Sequence, residues 1–413
     1  MPPTAPPATR PLRLLTFTTL YPNAARPSHG VFVENRLRHL VAGGEARSTV
    51  LAPVPWFPSR AARFGEWARH AAAPRVEARH GLAVHHPRFL ALPRLGMLTN
   101  PWALYRAAAA HLDRMRAAGE GLGFDLLDAH YLYPDGVAAV WLGQRLGVPV
   151  VITARGSDTS QLPAYRVPGR LIRRAVAEAD ALVAVSADLR DGLLALGADP
   201  AKVTVLRNGV DLDAFRPAPD CAAARAALGV GDDRAPVLLS VGLLIERKGH
   251  HLVVEALRHL PGHRLFVVGE GPDRAALLAL AERLGVAERV RLLGARPHAA
   301  LPALYSAADA LVLASSREGW ANVLLEAMAC GTPAVATPAW GSREAVSSPA
   351  AGVVVDDFSP EAIADGVRRL LAAPPGRDAT RAHAERFGWG ETTAGQIALF
   401  RRVLADRGGA APG

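Results

Sequence analysis

Lysine is nearly missing. Of the 47 basic side chains in 413 residues, only Lys202 and Lys248 are lysines. A chain that favours arginine this strongly hints, wherever it keeps a lysine, that a compact ammonium is needed there. Cysteine is as scarce: Cys221 and Cys330 make no disulfide framework, have no metal-ligand spacing and suit a reducing compartment. No eighteen-residue apolar run free of charge occurs, so no transmembrane helix is expected. The start, Met1 to Arg10, is rich in Pro, Ala and Thr and lacks the apolar stretch of a signal peptide. It is expected to be a disordered leader; secretion is not indicated and a cytoplasmic location is expected. The G-x-G-x-x-G fingerprint does not follow the first strand, which leaves dinucleotide binding without support.

What is present describes a folded protein of two domains. Half of the residues are apolar and 21% are charged, and the length exceeds one ordinary core. A formal charge of +9 suits a phosphorylated substrate, an anionic membrane or nucleic acid. The excess is uneven: residues 1–120 hold 16 Arg against 6 acidic residues, together with Trp56, Phe57, Phe64, Trp67 and Trp102. Basic residues interleaved with aromatics suit a membrane surface or a lipid-linked substrate. Arginines scattered over solvated faces explain the same counts equally well.

Along the chain, apolar runs alternate with helical patterns. Strands are predicted at 11–18, 48–53, 81–87, 124–129, 148–153, 181–185 and 202–206, and helices at 31–41, 101–118, 134–146, 166–178 and 187–196. The stretch 54–79 shows no period, and 215–236 reads as a linker. A second alternation comes after it, with strands at 237–241, 264–269, 289–293, 310–314, 334–337 and 352–355, and a helical end from 377 to 405 broken at Phe387-Gly388-Trp389. Such alternation predicts parallel sheets covered on both faces. Two doubly wound, Rossmann-like domains in series are expected, their strand ends facing a central cleft. The boundaries drawn are 1–10 for the leader, 11–212 for the first domain, 213–387 for the second and 388–413 for a returning helix.

The most informative stretch is Ser316 to Pro333. It lies between two apolar strands, with a helix expected over 321–329, Gly331 after its end and Pro333 blocking continuation. The loop before the helix is where a ligand meets such a unit, and a helix start suits an anion. Glu318 and Glu326 beside an anion site make sense if they accept hydrogen bonds from hydroxyls carried by that anion, as on a nucleotide sugar.

The run "EGWANVLLEAMACGTPAVAT" closely resembles the donor-site signature of family 4 of the retaining glycosyltransferases, and the resemblance extends from Leu12 to Leu404. It implies an α/β GT-B fold and transfer of a sugar from a UDP- or GDP-linked donor to a glycan or polyprenyl-linked acceptor, with retention. His130, Glu318 and Lys248 would be catalytic. Gly30, Arg247, Lys248, Arg296, Gly319, Asn322, Val323, Leu324 and Glu326 would bind the donor, and Arg155 and Asp158 would lie on the acceptor side. Lys248 matches the Lys of the family's "V-G-R-L-x-x-x-K-G", whereas Leu243 stands where its Arg belongs. Two more departures occur. Asp128 occupies the first His of "D-x-x-H-x-H", and Arg155 stands where the family has His before Gly156. The resemblance implies no metal and no cofactor: Asp211-Leu212-Asp213 sits in a turn and not in a metal-presenting loop. No nucleic-acid partner is expected. A GT-B epimerase or phosphorylase, or a non-catalytic binding protein, remain the rival readings.

Overall fold

A computed structural model describes residues 10–92, 95–230 and 235–409. The leader expected at 1–10 lies outside them except for Arg10, which is ion-paired with Asp125 at 2.9 Å. The chain divides into two compact units, Met1–Leu206 with Gly390–Gly413, and Arg207–Trp389. The first boundary falls six residues before the one drawn from sequence.

Unit 1 is built on an eight-stranded sheet. Its strands are β1 (Leu12–Phe17), β2 (Ala46–Leu51), β3 (Val76–Arg79), β4 (Leu82–His85), β5 (Leu126–His130), β6 (Val150–Ala154), β7 (Ala181–Ala184) and β8 (Val203–Val205). Their order is β8-β7-β6-β5-β1-β2-β4-β3, parallel throughout except for the β3–β4 hairpin. The buried strand β7 is a continuous apolar run, and β6 is apolar apart from Thr153, as strands covered on both faces are. Unit 2 has six parallel strands: β9 (Val237–Val241), β10 (Arg264–Val268), β11 (Val290–Gly294), β12 (Ala310–Leu313), β13 (Ala334–Ala336) and β14 (Gly352–Val354). They run in the order β11-β10-β9-β12-β13-β14. Strand order reverses between β1 and β5 in unit 1 and between β9 and β12 in unit 2, and a doubly wound sheet receives ligands at the carboxyl ends of such a pair.

Four helices frame the strand ends or cover the sheet beside them: α1 (Val31–Ala42), α2 (Gly96–Ala117), α3 (Asn322–Ala329) and α4 (Trp389–Gly409). Helix α4, apart from its first residue, belongs to unit 1. Its Ile397, Leu399, Phe400 and Val403 pack with Leu14, Val33, Leu37 and Val50 of β1, α1 and β2.

Three stretches differ from the sequence expectation. Residues 54–79 are not irregular: they hold a two-residue strand at Val54–Pro55, a helix at Glu66–Ala72 and β3. The helix buries only Ala68, so no apolar stripe announces it. The expected linker contains a helix at Cys221–Ala227, whose first turn is capped by the Asp220 carboxylate accepting from Ala223 N at 2.9 Å. Helix α2 begins five residues before Pro101, where sequence reasoning starts it. Pro101 has no N–H for the carbonyl of Met97, and the Tyr133 hydroxyl donates to that carbonyl instead.

Candidate active site

In unit 2 the loops after β9 and β12 meet at the point of strand reversal. Residues 242–249 form a short turn ending in Lys248 and Gly249. Gly249 has φ +66°, and a Cβ there would lie 2.0 Å from the Ala314 carbonyl oxygen, so only glycine lets the two loops come this close. Ser316 N donates to Arg247 O at 2.9 Å and completes the join. The join sets Lys248 against Glu318: Nζ to Oε1 is 2.5 Å, with both side chains largely buried. Arg247 approaches the same carboxylate, Nη1 to Oε2 3.9 Å, while donating to Arg317 O at 2.9 Å. The two adjacent cations therefore converge. Leu243, at the position of the family's Arg, is 59% exposed.

Helix α3 starts at this cluster. Asn322 is its first residue and accepts from Asn208 Nδ2 at 3.3 Å; Trp320 Nε1 donates to Asn208 O at 3.1 Å. Asn208-Gly209 thus anchors the Glu318 loop. Gly319 is buried, and Val323 is half-buried. Leu324 cannot meet a ligand as expected: its side chain is wholly in the core and its N–H is bonded to Ala321 O at 3.1 Å. Glu326, farther along the helix, accepts from Tyr305 OH at 2.8 Å and lies 3.3 Å from His298 Nε2. Phe215 stacks edge-on against His298, centroids 4.9 Å apart. The hydrogen bond to Glu326 raises the His298 pKa. Sequence reasoning missed Tyr305 and His298; nothing in their spacing marks them as partners of Glu326. Arg296 is exposed on the loop after β11.

In unit 1 the corresponding strand ends carry the other expected residues. His130 closes β5 and is 1% exposed. Its Nδ1 lies 2.7 Å from Arg155 Nη2 and its Nε2 3.4 Å from Asp128 Oδ2. Both ring nitrogens are engaged, so the expected hydrogen bond from this ring to a sugar is not on offer in this arrangement. Asp158 is likewise withdrawn. Its carboxylate accepts from the N–H groups of Leu132 (2.8 Å), Arg155 (3.0 Å) and Gly156 (2.7 Å) and is fully buried. It holds the turn after β6 to the turn after β5 and has no exposed face for an acceptor. Arg155 is half-buried; burial and the nearby Arg36 push its pKa down to about 9. Gly30 caps α1 at φ +73°, where a Cβ would strike the Leu20 carbonyl at 2.3 Å, so packing alone demands glycine. Two neighbours went unnoticed in the sequence. Asp135 accepts from Thr19 N at 2.7 Å and from the hydroxyls of Thr18 and Thr19, tying the β1 and β5 ends together. Tyr131 has φ +87°, a strained value for a bulky residue, immediately after His130. Among the described residues no cluster of three His, Cys, Asp or Glu could hold a metal ion.

The family model described as "Glycosyltransferase Family 4" matches residues 31–214, and that described as "Glycosyl transferases group 1" matches residues 228–387. A D-inositol 3-phosphate glycosyltransferase of Segniliparus rotundus is 40% identical over 308 residues, covering 69% of this chain and 67% of that protein. The chain belongs to glycosyltransferase family 4. It is an enzyme of the glycosyltransferase class. A second D-inositol 3-phosphate glycosyltransferase, from Mycobacterium bovis, is 36% identical over 324 residues, 73% of this chain and 66% of that protein. The chain thus spans about two thirds of the length of these relatives. Among solved structures, a sucrose-phosphate synthase of Thermosynechococcus elongatus has a TM-score of 0.75 at 21% identity, covering 96% of this chain and 100% of that one. Anabaena HepE in complex with UDP has a TM-score of 0.69 at 21% identity, covering 94% and 98%. These likenesses show the fold, GT-B, as the family 4 signature implied.

The buried titratable groups make stability depend on pH in a defined direction. Burial pushes the imidazoles of His70, His111 and His250 down to about 4, and those of His29, His85 and His130 downward as well. Below the ordinary value of about 6.5 the unfolded chain takes up these six protons first, so stability falls with pH. Burial pushes Asp135 up to about 7 and Asp158 upward, and Glu326 raises His298. These three oppose, but six groups outnumber them. The thermal midpoint is expected to drop between about pH 7 and about pH 5. An unchanged or higher midpoint at the lower pH would contradict this balance.

Proposed function

We propose that this family 4 enzyme moves a sugar, with retention, from a UDP- or GDP-linked donor to a hydroxyl of an acceptor that also carries phosphate. One observation carries the reading: Lys248 and Arg247 converge on Glu318, four residues before the start of α3, at the point of strand reversal in unit 2. In a donor complex the ammonium would exchange its carboxylate partner for the leaving diphosphate, with Arg247 and the N–H groups of Asn322 and Val323 beside it. Glu318, freed, would accept from sugar hydroxyls, and Glu326, held by Tyr305 and His298, from the ribose. The leaving phosphate would take the acceptor's proton, so the reaction needs neither a protein nucleophile nor a metal. The relatives named for inositol 3-phosphate and the guanidinium of Arg155 in unit 1 support a phosphate-bearing acceptor. A polyprenyl-phosphate-linked glycan has the same chemistry.

The reaction would take place at the inner face of the cytoplasmic membrane. No described helix is long and apolar enough to cross a bilayer. Unit 1 nevertheless exposes Leu90, Leu92, Leu95, Met97, Leu98 and Trp102 in succession, and Arg106 stacks over Trp102 at 5.4 Å. Trp56 adjoins this strip through its N–H to Phe89 O at 2.7 Å. Of the other aromatics expected at such a surface, Phe64 is exposed, but Phe57 packs against it and Trp67 at 5.2 and 5.6 Å. Apolar side chains in a unit that also exposes Arg60, Arg63 and Arg106 suit an anionic leaflet.

Two assays test these statements. Lys248→Ala is expected to lose roughly 100- to 1000-fold in turnover at saturating donor, the usual loss for one preorganised donor, and the parent rate to survive excess chelator. A mutant as fast as the parent, or a parent that requires added Mg²⁺, would refute the leaving-group account. Co-sedimentation with anionic vesicles at low salt should be lost at high salt and in Leu98→Ser/Trp102→Ser. No sedimentation at low salt would leave an enzyme without a membrane surface.

A further inference from the structure

The two family positions that this chain replaces in unit 1, Asp128 and Arg155, act on one ring. Arg155 Nη2 lies 2.7 Å from His130 Nδ1, and Asp128 Oδ2 lies 3.4 Å from His130 Nε2. A guanidinium has no lone pair to offer, so it donates and Nδ1 accepts. The ring's proton therefore resides on Nε2, facing the carboxylate. Behind Asp128 the chain of contacts continues inward. Gln396 of α4 donates to Asp128 Oδ2 at 3.4 Å, and Arg36 of α1 donates to Gln396 Oε1 at 2.8 Å. His130, Asp128, Gln396 and Arg36 are all at most 2% exposed. Arg155 is the one half-buried member, its guanidinium 5.2 Å from the ring centroid of Phe32.

Burial, the largest influence, disfavours an imidazolium at His130; Asp128 favours it, and Arg155 and Arg36 disfavour it. Asp158 and Asp135, on the segments after β6 and β5, are committed to backbone N–H groups and to Thr18 and Thr19. Neither Asp158 nor Asp135 bonds the ring. The only place for a further proton on His130 is Nδ1, and Arg155 stands on it.

We propose that the Arg155 guanidinium and a proton compete for His130 Nδ1. An anion that draws Arg155 outward would then let His130 take a proton from solvent and become a hydrogen-bond donor at the end of β5. Only hydrogen bonds change, and the proton taken up is returned when the anion leaves. Arg155 is in this sense a positioning residue, and His130 is inert until the anion arrives. The competition follows from the ring's two contacts; the anion's identity as an acceptor phosphate rests on the proposed transfer reaction.

The test is ¹⁵N spectroscopy of the histidine ring nitrogens in the whole 413-residue chain, from about pH 8 to about pH 5, with inorganic phosphate as the probe anion. The His130 signals are assigned by their loss in His130→Asn. The parent should show a neutral ring protonated on Nε2. Arg155→Met should raise the protonation midpoint by about one pH unit, and Arg155→Lys should restore most of the parent value. Phosphate should raise the midpoint in the parent but not in Arg155→Met. A proton on Nδ1 or an imidazolium in the parent at neutral pH overturns the proposal, and that measurement needs no variant to fold. Equal midpoints in parent and Arg155→Met, or a parent midpoint that phosphate leaves unmoved, overturn it as well. If all of these hold while no nucleotide sugar supports turnover, the transfer reading is at fault and the competition stands.

Discussion

The pairing of Lys248 with Glu318 is the interaction on which unit 2 turns. Nζ and Oε1 stand 2.5 Å apart because two loops from neighbouring parallel strands are pressed together. Gly249, at φ +66° against the Ala314 carbonyl, allows the approach, and Ser316 N to Arg247 O closes it. A buried ion pair is weak evidence of stabilisation, since desolvating both charges offsets most of their attraction. What the pair does here is hold an ammonium largely buried, positioned and charge-balanced. The same carboxylate that balances it belongs to the family's donor signature. In the proposed reaction, balancing the ammonium and recognising the donor sugar would both fall to this one residue.

Unit 1 solves a comparable problem differently. Its strand-end charges are tied into a row running from Arg155 through His130 and Asp128 to Gln396 and Arg36, and this row enlists α4, the last helix of the chain. Asp158 and Asp135 are each used up in holding loops. Within the row only Arg155 retains a face toward solvent. The contrast matters for chemistry: unit 2 presents both signs of charge at its strand ends, whereas the row in unit 1 leaves one cation outermost.

The sequence displayed the alternation of both sheets, most strand positions within two residues, and the stretch 316–333 with its helix and terminating glycine. These follow from period and punctuation, which are local. What stayed hidden was set by distant partners. Nothing near Glu326 predicts that Tyr305 and His298 would grip it, and nothing near Pro101 predicts that Tyr133 would satisfy the carbonyl that proline leaves open. Asp158 and Leu324 read as site residues because they lie in the right motifs, yet one is consumed by three N–H groups and the other by the core. The departures at Asp128 and Arg155 were visible one at a time; only the fold shows that both touch His130.

The central claim is that unit 2 holds a nucleoside diphosphate by its ribose at Glu326 and by its phosphates at Lys248. Calorimetry with UDP, GDP and the matching intact nucleotide sugars tests it most directly. The account predicts that one of the diphosphates binds. Glu326→Gln should weaken that diphosphate and its sugar conjugate alike, by about tenfold or more, as loss of a hydrogen bond to a charged group does. Glu318→Gln should spare the free diphosphate and weaken the conjugate. Equal losses for both variants with both ligands, or no binding of either diphosphate to the parent protein, would contradict it.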